Sequence, residues 1–435
     1  MGNLRPFQIA MLGIFGVMAV MAVVLISNYR PADTTETAAF GDRVIIWGSL
    51  EQAAFDQTFK ALRDQDDSFK AVEYYEIDEA GFNNQLVNAI AEGRSPDLIV
   101  LPHDQLVQLR SKLLPVPYET ISERQYRDTY VDGAEIFART DGVYAIPFAV
   151  DPLMMYWNRD LFASNGLAAA PTSWEEVVRS VVPALTRKDT NRTILRSAIA
   201  FGEYRNVRNA GAVLSTLLLQ SGSRMIEEGE RGYIVALNES IGDSGRPPLE
   251  AALQFYADFS NANSPAYSWN RAQAEDRSAF VSGDLALYFG MGSEALTISD
   301  RNPNLNFDIA PVPQGANATI ERTYGRFYGF AIPRAAQNRS GAFAAAQTLA
   351  APGTAQVLSE SLLLAPVTRT IIAQGNDGAF QQVIYRSALT ARGWLDPNPV
   401  STAGILQTMV EDVVSNRVRL GSAVADAVDR VTLSF

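Results

Sequence analysis

Residues 142–161 read GVYAIPFAVDPLMMYWNRDL, and residues 171–178 continue as PTSWEEVV. The first piece carries the apolar run of a buried strand, broken by one acid, Asp151, with Pro152 beside it. Proline has no amide hydrogen to give a sheet ladder, so its place next to an acid in such a run is unusual. Tyr156 and Trp157 follow, and strand alternation sends only one of them toward a core. In the second piece Thr172 and Glu175 have the spacing of a capping box, which predicts a helix start there.

Upstream, residues 43–104 alternate between strand and helix patterns, the grammar of a parallel sheet covered by helices. VIIW at 44–47 is a short apolar strand, and SLEQ at 49–52 has the form of a capping box ahead of Phe55, Phe59 and Leu62. A strand near 71–77 comes next. Phe82, Leu86 and Ile90 then stripe a helix that Gly93 ends, and DLIVL at 97–101 returns as a buried strand. Ligands of such sheets sit beyond the carboxyl ends of the strands. Trp47, Ser49, Glu51 and residues 102–104 occupy those ends.

Downstream, helices are expected at 210–220, 249–259, 272–281 and 340–350, with two more in the tail. Strands are expected at 285–289, 307–311 and 327–332. The Gly-, Glu- and Pro-rich residues 222–248 read as an excursion without regular structure. No repeat and no linker divides the chain, so two domains must share it by crossing between them.

The chain has 435 residues, enough for two domains with sizeable cores. Its formal charge is -12 with no basic run, which leaves counterion release no surface for nucleic-acid binding. There is no cysteine and one histidine, His103, so disulfides, thiolate metal sites and HExxH zinc chemistry are excluded. Neither GxSxG nor GxxxxGK[ST] occurs, and no cofactor or metal site is expected. Adjacent acids such as Asp66-Asp67 and Glu175-Glu176 do not face one another as glycosidase chemistry requires.

Between Arg5 and Arg30 lie 24 uncharged residues, and 9–26 is apolar throughout except for Gly13 and Gly16. That length spans a bilayer, so a transmembrane anchor over residues 1–40, ending in a polar tether at 29–40, is expected; a cleaved signal peptide is the rival. Arg5 holds the N-terminus in the cytoplasm and exports the rest.

Several blocks together resemble one family, the extracytoplasmic solute-binding proteins of ABC importers, in the group that includes maltose-binding protein. The block at 142–177 matches its most recognisable signature: glycine, a strand into proline, an acid, Tyr-x-Asn-basic-Asp-Leu-Phe, and a Pro-Thr-x-Trp-Glu-Glu helix start. GRSPDLIVLPHDQL at 93–106, AFVSGDLALYFGMGS at 279–293, the stretch at 328–356 and APVTR at 365–369 agree in order. The resemblance implies an α/β two-lobe clamshell of the type II periplasmic-binding-protein kind, its lobes joined near 147–151, 328–332 and 396–400. Lobe one would be 41–149 with 330–396, and lobe two 150–329 with 397–435. It further implies a non-enzymatic receptor that captures a small solute, carbohydrate or a related polar molecule such as an oligosaccharide, and presents it to permease subunits. A carbohydrate-active hydrolase and a sensory clamshell are the alternatives.

Each candidate ligand residue has a plainer role to set beside this one. Trp47 would face the cleft or fill a core, Ser49 would offer a helix start, and Glu51 would complement a helix dipole or meet ligand hydroxyls. His103 and Asp104 follow a buried strand and face either the cleft or the next turn. Asp151 matches the family's substrate-bonding acid. Tyr324, Arg326 and Tyr328 cluster before the second crossing, where an Arg between aromatics grips a carboxylate or phosphate, or braces the hinge. Trp394, near the third crossing, stacks or packs. Sugar-binding relatives often carry Trp where this chain has Leu101 and Ser293, and flat aromatic faces are what hold pyranose rings.

Overall fold

The computed structural model describes residues 40, 41, 43–230, 232–240 and 246–435. The expected anchor at 1–40 lies outside them except for Phe40, and among the described residues no helix is long and apolar enough to cross a membrane. Phe40 itself does not extend a tether. It is 2% exposed, edge-on to Phe69 at 4.7 Å, and its carbonyl accepts a hydrogen bond from Asn338 Nδ2.

The alternating segment folds as its pattern predicts. Val44–Gly48, Val72–Glu76 and Leu98–Pro102 are parallel strands, Val44–Gly48 lying in the middle. Helices Gln52–Arg63 and Phe82–Ala91 connect them, and Gly93 takes the left-handed φ of +69° that releases the chain from the second. Ser49 is not the cap of the first helix, which begins after Glu51 without a side-chain cap bond. Glu76 from the neighbouring strand end accepts the Gln52 N–H instead, at 2.8 Å.

The stretch at 142–161 becomes a single strand of 13 residues, Ile146–Asn158, buried at every position but Trp157. Its partner is the antiparallel strand Thr323–Pro333, longer at both ends than the apolar run at 327–332 suggests. These two carry the chain between the halves of one continuous sheet. In the first half, Tyr328–Ala331 pair with Ile99–Pro102. In the second, Leu153–Trp157 pair with Leu287–Met291 of the strand Leu285–Met291, and Met154–Asn158 pair on the other side with Phe307–Pro311. Proline is tolerated at 152 because the ladder changes partner there: Gly325 opposes Pro152, and the next residue, Leu153, opposes Met291.

Ile194–Ile199 adds parallel to Leu285–Met291 at the far side. One buried cluster, from Phe40 to Leu364, fills the first half alone, and a second runs through Val150, Leu153, Phe327 and Ala391 into the other half. The α/β two-lobe architecture is therefore built on crossing strands with an apolar joint.

Three local expectations give way. The helix after Pro171 starts at Trp174, capped by Ser173, which accepts the Glu176 N–H at 3.2 Å; Glu176 in turn accepts from Thr172 N–H at 3.1 Å, so the box sits one residue later than Thr172–Glu175. Residues 222–248 contain a β-hairpin, Ser223–Gly229 with Gly232–Ser240, whose buried Met225, Ile226, Ala236 and Leu237 are masked in sequence by the surrounding acids. Finally, helix Ala379–Ala388, expected within lobe one, packs on the second half, Phe380 stacking on Phe307 at 5.6 Å.

Candidate functional site: the junction of the two lobes

Strand Leu98–Pro102 ends in the turn His103–Gln105, which lies against the start of the second crossing strand. Two successive contacts fasten it. His103 Nδ1 accepts the Phe327 N–H at 3.0 Å, and Asp104 Oδ2 lies 2.9 Å from Arg326 Nε. Because Nδ1 accepts, the proton of the neutral imidazole sits on Nε2. That atom has no hydrogen-bond partner and is packed against Gly393, where a β-carbon would lie 2.4 Å away. His103 is fully buried, and desolvation, only partly offset by Asp104, pushes it down to about 4.

Arg326 is committed. Besides Asp104 it reaches Glu79, which follows the Val72–Glu76 strand, and its guanidinium carbon lies 5.7 Å from the Tyr328 ring centroid. Burial disfavours its charge, but Asp104 and Glu79 outweigh that and keep it cationic. One guanidinium facing two carboxylates leaves a net negative group, which is a poor grip for a carboxylate or phosphate ligand.

Asp151 stands on the first crossing strand, 4% exposed. Its Oδ1 accepts the Ser293 N–H at 3.1 Å and its Oδ2 accepts the Ser293 hydroxyl at 2.6 Å. Burial pushes its carboxyl up to about 7, against the pull of those two bonds. In this arrangement Asp151 and Ser293 tie the crossing strand to the turn after Leu285–Met291.

The structure thus brings together His103, Asp104, Asp151, Ser293, Tyr324, Arg326 and Tyr328. Tyr324 is half-buried, its ring 5.9 Å from that of His103, and Tyr328 is 6% exposed. Trp47 is half-buried on the first strand and packs against the second core cluster, Ser49 is half-buried, and Glu51 is exposed. Trp394 is 8% exposed and lines a different space, a cavity of about 840 Å³ between residues 118–140 and 219–228.

Sequence reasoning missed Glu79, Asp396 and Tyr204. Asp396 is 7% exposed at the third crossing, its Oδ1 accepting from Thr402 Oγ1 at 2.7 Å and Asn398 N–H at 2.9 Å, and burial pushes it up to about 7. Its nearness to Trp394 and to the expected crossing at 396–400 was the available signal. Tyr204, beyond the end of Ile194–Ile199, had none, because the loop around it is polar and irregular.

Two half-sheets joined by crossing strands, with polar residues gathered where they meet, define a two-lobe solute-binding clamshell. The chain belongs to the bacterial extracellular solute-binding proteins, whose family model matches residues 48–356. Among curated proteins none matches. Solved structures with the same fold include the cyclic alpha-maltosyl-1,6-maltose binding protein from Arthrobacter globiformis, at 15% identity and TM-score 0.71, covering 90% of this chain and 98% of that one. The GacH receptor of Streptomyces glaucescens, solved unliganded and with acarbose, shares 16% identity at TM-score 0.68 over 90% and 98% of the two chains. An ABC transporter solute-binding protein from Thermotoga lettingae, bound with alpha-D-tagatose, shares 18% at TM-score 0.65 over 90% and 99%.

Proposed function

We propose that this protein is the extracytoplasmic receptor of an ABC importer, taking a carbohydrate between its lobes and presenting it to permease subunits, with the apolar residues near its N-terminus as a membrane tether. The observation that carries the reading is the pair of unbroken strands, Ile146–Asn158 and Thr323–Pro333, that pass from one half-sheet to the other with Asp104, Asp151, Ser293 and Arg326 at the crossing. Carboxylates and hydroxyls at such a crossing suit the hydroxyls of a sugar. The solved relatives named above carry maltosyl, acarbose or tagatose ligands by their own descriptions.

In this reading the crossings lie near Asp151–Leu153, Thr323–Arg326 and Gly393–Asp396. Ligand contacts made to both lobes favour the closed form by the difference in affinity between the two states. The test is thermal unfolding of the full chain against a panel of mono- and oligosaccharides, polyols and amino acids. A true ligand at a hundred times its Kd stabilises by about 2.7 kcal/mol. A shift confined to amino acids, or none with any sugar, would reject the carbohydrate receptor.

A further inference from the structure

The cavity of about 840 Å³ that Trp394 lines shares no residue with the cluster of Asp104, Asp151, Ser293 and Arg326. Its walls come from both halves of the molecule: residues 118–140 and 392–395 on one side, residues 219–228 and Arg322 on the other. Its volume lies in the range of small-molecule pockets, roughly 300–1,000 Å³.

Guanidinium donors without acceptors set this cavity apart. Asp132 serves both Arg369, at 2.5 Å, and Arg392, at 2.7 Å. Arg322 is half-buried and has no carboxylate within ion-pair reach among the described residues; its side chain donates only to the adjacent Glu321 carbonyl, at 3.0 Å. The ladder that pairs Thr323 with Ala391 and Tyr324 with Arg392 sets Arg322 close to Arg392. Burial, and after it the nearness of Arg322, disfavours the Arg392 charge, as expected of like charges held together with too little acid between them. A third arginine of the walls, Arg139, is 16% exposed and donates to the Glu135 carbonyl at 2.9 Å. Its Nη1 stays 3.8 Å from Glu228, beyond hydrogen-bond reach, and its buried Nε has no acceptor. The remaining acids of the walls are already engaged, Glu123 and Glu135 by Arg127 and Glu227 by Arg224.

We propose that this cavity is a second ligand site, for a small molecule whose carboxylate or phosphate group is held by Arg322 and Arg392 from opposite walls. A guanidinium presents its N–H donors as a planar fork that matches two oxygens of such a group, and charge-assisted bonds to it are the strong ones. A cationic ligand is repelled by the same pair, and a neutral one leaves their charge unanswered. The Trp394 ring gives the body of the molecule an apolar wall. An anion that bridges the walls favours the arrangement of the halves in which they face each other, and so acts on the lobes from a site separate from the junction. The assignment is independent of the carbohydrate reading.

The test is calorimetric titration of the full chain at pH 7 and constant ionic strength with inorganic phosphate, pyrophosphate, glucose 6-phosphate and citrate. At least one should bind with a Kd at or below about 1 mM, and the contrast between citrate and the phosphates tells which oxyanion the site takes. Arg322→Gln should weaken that binding by about tenfold or more. The main-chain bonds of Arg322 to Gln314 and Gln220 do not use its side chain and survive the change. Arg187→Gln, which removes an exposed arginine outside the cavity, should leave the affinity as it is. Arg322→Lys keeps the charge without the fork; it should also bind more weakly than the native chain, and it serves if Arg322→Gln does not fold. Binding by none of the four probes would overturn the inference. Equal affinity in the native chain and Arg322→Gln would mean an adventitious ion only and would overturn it as well, leaving the receptor reading untouched.

Discussion

His103 is the chain's one histidine, so its imidazole can be followed alone. Its folded value near 4 lies below the ordinary 6.5, because burial penalises the cation and the Arg326 charge adds to that, outweighing the pull of Asp104. A histidine depressed in this way contributes stability that is present above pH 6.5 and is lost as pH falls through 4. The free-energy difference between the native chain and His103→Gln should therefore shrink by about 3 kcal/mol from pH 7 to pH 4. A nitrogen-15 NMR titration showing the imidazole protonating near 6.5 would refute the burial argument. Asp276 runs the other way. Burial pushes it up to about 7, and its Oδ1 accepts both the Arg208 and Arg277 N–H groups, which an asparagine can equally do. A raised carboxyl holds its stability at low pH and loses it as pH rises through 7. Asp276→Asn should gain relative to the native chain by about 4 kcal/mol between pH 4 and pH 8, as measured by denaturant unfolding at each pH.

At the scale of elements, a cap bond separates Ser173 from Ser49. Ser173 accepts the Glu176 N–H, so Ser173→Ala should cost about 1 kcal/mol, whereas Ser49, which caps nothing, should cost well under half of that on mutation to alanine. Equal losses in thermal unfolding would contradict both assignments. The contrast also shows what could be read in advance. The strands and helices of residues 43–104 were legible because burial on one face leaves a strict period, and the 146–158 strand because it is apolar on both faces. The capping box at Thr172–Glu175 was misplaced by one residue because Thr172 and Ser173, and Glu175 and Glu176, satisfy the pattern equally, and only the fold decides which pair faces the free amides; the one at 49–52 is absent because Glu76 takes the Gln52 amide. The 223–240 hairpin was hidden because acids, an arginine and glycines interrupt its apolar residues, and the polar loops that carry Glu79 and Asp396 have no period at all. The loop bearing His103 and Asp104 was visible only because a buried strand points straight into it.

At the scale of the molecule, the lobes touch beyond their crossings. Glu228, on the hairpin of the second lobe, accepts from Arg110 of the first at 2.5 Å and lies 3.8 Å from Arg139, and Tyr233 of the same hairpin accepts from Arg110 at 3.1 Å. Among the described residues no hydrogen bond or ion pair joins the loops at 49–52, 76–84 and 103–105 to those at 200–210 and 292–296. The hairpin contact therefore fastens the two halves without the help of those loops. An interaction made in one state of a two-state molecule biases it toward that state by its own free energy, and ligand must work against the bias. Arg110 retains Asp141, and Arg139 retains the Glu135 carbonyl, when the Glu228 charge is removed. Glu228→Gln should thus weaken the arrangement seen here by about 1 kcal/mol without stranding an arginine and should change ligand affinity by up to roughly fivefold. Scattering of the ligand-free variant should show a mean radius different from that of the native chain, and unchanged affinity with unchanged scattering would mean that the pair persists in both states.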